Sequence, residues 1–228
     1  MNSSDLGGHL DVLGSIPDQY RDAVLSQCSK QRFQRGDTLW TQGDAGGFVA
    51  FMIKGKAMST YHSPAGKAGI TGFWSDGDIL GAADLGGLEN RQMTVRFLEA
   101  STVYTLPLSN FYRILERFPE VAQQIVRALS VRLRWVAHLA LSLATDSTED
   151  RVRNVLLALS ASFGVEDDQG LLIDLKLSHE DLASMVGASR QFVNGALNSI
   201  KSAGYIKIGN RKIVITDIQG LRTAKYQT

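Results

Sequence analysis

"SHEDLASMVGASRQFVNGALNSI", residues 178–200, reads as two short helices joined at a tight turn. Ser178 and Asp181 have the spacing of a capping box. Leu182, Ala183 and Val186 then form the inner face of the first helix. Gly187 supplies the positive φ that a sharp turn needs. Ser189 caps the second helix, whose buried side is Val193, Leu197 and Ile200. Its outer side is Arg190, Gln191, Asn194, Gly195 and Asn198. Polar, planar side chains at the N-terminal end of an exposed helix suit the major groove. Arg pairs there with guanine O6/N7, and Gln or Asn with adenine N6/N7. Ser189 and the free N–H groups of the first turn suit a phosphate.

The chain after this stretch strengthens the reading. "GYIKIGNRKIVIT" (204–216) holds two β runs around Gly209-Asn210, with Lys207, Arg211 and Lys212 near the turn. It reads as a wing whose basic tip lies on the backbone of DNA. The predicted DNA-contacting set is Ser178, Ser189, Arg190, Gln191, Asn194, Asn198, Lys201, Arg211 and Lys212. Charge points the same way. Residues 1–169 hold 16 Lys/Arg against 19 Asp/Glu, whereas residues 170–228 hold 8 against 4. A basic C-terminal domain on a mildly acidic body fits a polyanionic partner.

Upstream, two textures precede this domain. From about 30 to 108 come short runs rich in Val, Ile, Thr and aromatics: "DTLW", "FVAFMI", "KAMSTYH", "GITGFW" and "TVRFLEASTVYTL". Gly-Asp turns separate them, which predicts an antiparallel sandwich or barrel. A short helical stretch at 109–117 follows, and a long helix should begin at Pro119. Ile125, Leu129, Leu133, Val136, Ala140 and Leu143 then repeat at nearly coiled-coil spacing. A second row, Val121, Ala128, Val131, Trp135 and Leu139, lies on a neighbouring face. Two apolar faces need two partners, the β domain and the same helix of a second subunit, so the first row is the predicted dimer interface. Ser147 with Asp150 starts another helix at 148–163, and residues 144–147 are the predicted hinge.

Other classes are weakly represented. The chain has 228 residues, 44% hydrophobic and 21% charged, enough for more than one core. No apolar run approaches the ~20 residues of a membrane span. The N-terminus lacks the basic-then-apolar order of a secretory signal. Cys28 is the only cysteine, which excludes an intrachain disulfide and a cluster held by several thiolates of one chain. No nucleophile elbow, Walker or zinc motif occurs, so an enzyme is not expected and neither a cofactor nor a metal is assigned. Residues 1–20, with a Gly/Ser-rich start, are expected to be partly disordered.

Taken together, the chain resembles the Crp–Fnr superfamily of bacterial transcription regulators, the group that includes cyclic-AMP receptor proteins. "FQRGDTLWTQGDAGGFVAFMIKGKA" (33–57) is similar to that family's first hairpins. "GDILGAADLGGLENRQMTVR" (77–96) stands in its ligand-loop region, and "LSHEDLASMVGASRQFVNGALNSIKSAGYI" (177–206) matches its DNA-binding motif. The resemblance implies an α+β protein. A β jelly-roll of the cyclic-nucleotide-binding type occupies 1–108, with a short N-terminal helical segment. A dimerisation helix follows at 109–144 and a winged helix-turn-helix at 145–228. It also implies a cytoplasmic homodimer on a palindromic DNA site, with RNA polymerase as a further partner.

The departures from the family bear on the effector. Cyclic-AMP-binding members hold the ribose with a Gly-Glu pair, the phosphate with an Arg-Ser pair and the adenine with a Thr-Ser pair. Here the corresponding residues are Gly81 and Ala82, Arg91 and Gln92, and Val136 and Ala137. Each lost polar contact to a buried ligand group costs ~1–3 kcal/mol. Cyclic AMP is therefore not the expected effector. Arg91 leaves two readings open: a phosphate anchor for another ligand, such as a cyclic dinucleotide, or a structural role, exposed in a loop or paired with Glu89 or Asp84. A constitutive regulator and a ligand-binding module without DNA remain alternatives. Haem-sensing members need axial ligands, and Cys28, His62 and His138 qualify by residue type only. His9 and His179 read as terminus and cap residues. On the recognition helix Gln191 and Gly195 replace a Glu and an Arg of the family's frequent pattern. A different operator is expected, still an inverted repeat with half-sites about 34 Å apart.

Overall fold

The computed structural model describes residues 10–86, 89–210 and 212–224. Expectations for residues 1–9, His9 among them, and for Arg211 lie outside these residues. The chain divides into two compact units, the first ending at Ser130 and the second beginning at Val131.

In the first unit two short helices, α1 (Val12–Ser15) and α2 (Asp18–Leu25), precede the sandwich. Its described strands are β1 (Ser29–Phe33), β2 (Thr38–Trp40), β3 (Phe48–Lys54), β4 (Ala57–His62), β5 (Ala68–Trp74), β6 (Ile79–Leu80), β7 (Thr94–Phe97) and β8 (Ser101–Pro107). They form two antiparallel sheets, ordered β1-β8-β3-β6 and β2-β7-β4-β5. That order is a jelly-roll. Helices α3 (Leu108–Arg117) and α4 (Pro119–Thr145) follow.

Strand β3 explains why "FVAFMI" is apolar without alternation. Ala50 and Met52 face the interior of the sandwich, meeting Trp40, Ala57, Val95 and Phe97. Val49 and Phe51 face the opposite way, into a second core with Val12, Ile16, Phe111, Ile114, Val121 and Ile125. A strand covered on both sides has no polar face to display. Full burial of a side chain such as Phe51 stabilises by about 1.5–3 kcal/mol. The helices α1 to α4 therefore close the outer face of one sheet.

The second unit surrounds α5 (Thr148–Phe163), in which Val152, Val155, Leu156, Leu157, Leu159 and Phe163 are all buried. Ser147 caps it by accepting from the Asp150 N–H at 3.1 Å. Next come the hairpin β9 (Gly164–Asp167) and β10 (Gly170–Ile173), α6 (His179–Val186), α7 (Arg190–Ser202), the hairpin β11 (Ile206–Gly209) and β12 (Lys212–Ile215), and α8 (Ile218–Thr223). The two hairpins join in one sheet, β11-β12-β10-β9. The corner between α4 and α5, the predicted hinge, is held by Asp146. Its carboxylate accepts from Ser142 Oγ at 2.7 Å and from Asn154 Nδ2 at 2.9 Å. Among the described residues no helix is long and apolar enough to cross a membrane.

Candidate functional site

Helices α6 and α7 make the helix-turn-helix read from residues 178–200. Ser178 and Asp181 form a full capping box: the Asp181 N–H donates to Ser178 Oγ at 3.1 Å, and the Ser178 N–H to the Asp181 carboxylate at 2.8 Å. The Ser178 hydroxyl also donates to that carboxylate at 2.7 Å, so it is engaged within its own helix cap. Gly187 ends α6 at φ 61°, and a Cβ there would meet Leu143 of α4 at 2.9 Å. Both facts call for glycine at the turn. Ser189 caps α7 by accepting from the Phe192 N–H. Leu182, Ala183, Val186, Val193, Leu197 and Ile200 are buried, as their spacing predicts.

The outer side of α7 carries Arg190, Gln191, Gly195, Asn198 and Lys201, all exposed. Asn194 departs from this set. It is half-buried, and its Oδ1 is enclosed without a hydrogen-bond partner. Phe192 is the residue the sequence reading missed. It is 68% exposed, beside Arg190 and Gln191 in the first turn of α7. The signal was present, because Phe192 falls off the buried row of Val193, Leu197 and Ile200. Past α7, β11 and β12 pair with Gly209 opposite Lys212 at the hairpin tip. Asn210 sits there at φ 51°, a conformation Asn tolerates better than most residues. Lys212 is exposed at the tip, and Lys207 Nζ donates to Gln169 Oε1 at 3.1 Å.

The β sandwich brings Gly81, Ala82 and Arg91 together but closes the space between them. Arg91 is 2% exposed. Its Nη1 lies 3.0 Å from Asp84 Oδ2, and its Nη2 donates to the Phe48 carbonyl at 2.6 Å. The guanidinium carbon is 3.7 Å from the Trp40 ring centroid and 4.7 Å from that of Phe48. Gly81, at φ 84°, leaves room for this side chain, since a Cβ there would fall 2.7 Å from Arg91 Nη1. Of the two readings open for Arg91, the geometry is that of the pair with Asp84. Ala82 is buried in the helix-side core. Gln92 is exposed and donates to the Asn90 carbonyl. A cyclic phosphate does not fit these residues as they stand, because the guanidinium already has a carboxylate, a carbonyl and two rings around it.

On α4 the exposed apolar row begins one residue later than its spacing suggested. Ile125, expected at its head, is 3% exposed and belongs to the core under β3. Val126 takes its place, and Val126, Leu129, Leu133, Val136, Ala140 and Leu143 are all exposed. These positions step by three and four residues without a break, the register of a coiled-coil seam. Ala137 is also exposed. The second row is covered to different degrees: Val121 is buried, and Ala128, Val131, Trp135 and Leu139 are half-buried.

The candidates for haem ligation are scattered. Burial pushes the Cys28 thiol up to about 11, and its Sγ donates to the Val24 carbonyl. His62 is exposed and His138 half-buried. Among the described residues no three His, Cys, Asp or Glu side chains gather as metal ligands.

Comparison with known proteins agrees with this architecture. A cyclic nucleotide-binding domain family matches residues 30–118, and a Crp-like helix-turn-helix domain family matches residues 150–224. A CRP-like cAMP-activated global transcriptional regulator of Mycobacterium tuberculosis is 28% identical over 202 residues, covering 87% of this chain and 89% of the relative. A global nitrogen regulator of Synechococcus elongatus is 25% identical over 190 residues, with 81% and 84% covered. Among solved structures, the c-di-GMP responsive global regulator CLP of Xanthomonas campestris matches with a TM-score of 0.77. It is 19% identical, over 88% of this chain and all of that one.

Proposed function

The chain belongs to the Crp–Fnr superfamily of transcription regulators, and from that premise we propose that it is a cytoplasmic, sequence-specific DNA-binding homodimer whose effector is not cyclic AMP. The observation that carries the DNA-binding part is α7. Its first turn holds Arg190 and Gln191 in solvent, capped by Ser189, with no ion pair to either among the described residues. An unpaired guanidinium and amide on the open side of a helix N-terminus are matched to base edges and phosphate. Asn198 and Lys201 extend the same surface, and Lys212 adds a wing contact.

The homodimer rests on the α4 row. Six apolar side chains in heptad register are exposed in one protomer, and the same row on a second copy is its natural cover. Two α7 helices are then related by a two-fold axis, which calls for an inverted repeat. RNA polymerase is the expected protein partner of a regulator seated on such a site. Cyclic AMP is disfavoured by three separate features. Ala82 offers no carboxylate, Val136 and Ala137 offer no polar group to a base, and Arg91 is neutralised by Asp84.

The test is selection from a pool of random duplex DNA with the purified protein, first alone, then with cyclic AMP, then with cyclic di-GMP. The expected result is a palindrome enriched without any nucleotide and unchanged by cyclic AMP. Enrichment only with cyclic AMP overturns the effector reading. No enriched site under any condition overturns the DNA-binding reading. A palindrome only with cyclic di-GMP keeps DNA binding and assigns a dinucleotide as effector.

A further inference from the structure

Phe192 has no structural work in the free protein. The residue is 68% exposed, whereas the neighbouring Val193 is fully buried. Burying a Phe stabilises a protein by about 1.5–3 kcal/mol, and this ring is left outside that gain. Single exposed apolar residues are common on protein surfaces. This one stands in the first turn of the helix that carries Arg190 and Gln191, where each outward side chain meets the major groove in the reading above. One turn further along, Gly195 has open space where a Cβ would be, with nothing within 4 Å. A bare backbone next to an apolar ring lets a base edge approach closely on that side of the helix.

The major groove offers one apolar group for such a ring, the C5 methyl of thymine. We propose that Phe192 is a specificity-determining residue that contacts a thymine methyl in each half-site, beside the bases read by Arg190 and Gln191. The inference rests on the DNA-binding reading and adds a base type to it. The ring supplies what Asn194 does not, since Asn194 keeps its carbonyl enclosed. It also makes the helix's code mixed: polar edges near Arg190 and Gln191, a methyl group next to Gly195.

The test uses the full-length protein and the site it selects from random duplex DNA. Each thymine of the half-site is replaced in turn by deoxyuridine, which removes only the methyl group. With the wild type, one position per half-site is expected to weaken binding about fourfold, and about fifteenfold when both half-sites are changed, the effect of one buried methyl in each. Phe192→Ala is expected to bind thymine and uracil sites equally, and Phe192→Leu to keep part of the preference. An exposed side chain leaves the fold intact on substitution, and thermal unfolding of both variants checks this. The inference is overturned by a selected site without thymine, by equal wild-type binding to every uracil-substituted site, or by the same methyl preference in Phe192→Ala. In those cases salt-dependent binding to the selected site still stands. Failure to select any site overturns the DNA-binding reading, and the inference with it.

Discussion

Arg91 in the β sandwich is enclosed by Asp84, the Phe48 carbonyl and the rings of Trp40 and Phe48, whereas Arg190 on α7 stands in solvent with no ion pair among the described residues. One guanidinium is buried in the β sandwich and the other stands at a helix N-terminus. A buried guanidinium is tolerable only when it is paired and hydrogen-bonded. The β domain supplies a carboxylate to Nη1 and a carbonyl to Nη2 from its own chain, while the Arg91 Nε is enclosed without a hydrogen-bond partner. The helix-turn-helix supplies neither to Arg190, in keeping with the proposal that DNA does. The charge of Arg91 is met from within the β domain, while the outer side of α7 stays open, as the proposed DNA contact requires. The exposed row on α4 stays open as well.

The largest effect is expected on α4, and it asks whether that row is open in the same sense as α7. Leu133 is 69% exposed in the protomer. In a two-fold dimer Leu133→Glu acts on both copies, removing about 3–6 kcal/mol of apolar burial from the interface. Sedimentation equilibrium should find the variant dissociating at concentrations at least about a hundredfold higher than the wild type. An unchanged association constant breaks the assignment of the row to a dimer seam.

The next effect tests the closed site. Removing one member of a buried ion pair costs about 3–5 kcal/mol, because the other charge stays behind. Asp84→Ala should therefore lower the urea-unfolding free energy of the protein by that amount. Asp84→Leu combined with Arg91→Met should recover most of it, since a well-packed apolar pair replaces the ions at little cost. A loss under about 1 kcal/mol in Asp84→Ala would place the pair in the class of surface ion pairs and reopen Arg91 to a ligand.

Much of this was legible in the sequence, for reasons that differ by region. The helix-turn-helix was readable because caps, turn glycine and apolar spacing all agree locally at Ser178, Gly187 and Ser189. The β runs with Val, Ile and aromatics were readable too, but "SKQRF" was not recognised as β1. It pairs along one edge with β8, and its residues are largely exposed, so it has no apolar pattern. The hairpin β9–β10 was missed for the same reason, as "GVED" is exposed throughout. Ile125 was placed on the wrong face because two apolar rows on α4 lie one residue apart, and only packing against β3 tells them apart. The Arg91–Asp84 pair could be named as an alternative but not chosen, since no helical or strand pattern runs between these two groups, seven positions apart. Phe192 was overlooked because a lone apolar residue inside a polar stretch carries no period.

The smaller effects separate the two kinds of contact on the open surface. Arg190→Ala should weaken binding to the selected site by about 1–3 kcal/mol and relax base preference at one position of each half-site. Tight and selective binding by this variant would mean that α7 is not the reading helix. Lys212 sits at the hairpin tip, where the proposed partner is a phosphate. A phosphate carries no sequence information, so Lys212→Ala should weaken all duplexes alike. Its signature is in the salt titration, where the slope of log K against log salt falls by about one per protomer while base preference is unchanged. Should Lys212→Ala instead alter the selected sequence, the wing enters a groove and Arg190 is not the sole basic reader. Should it alter neither slope nor sequence, the wing lies off the DNA and the basic surface is confined to α7.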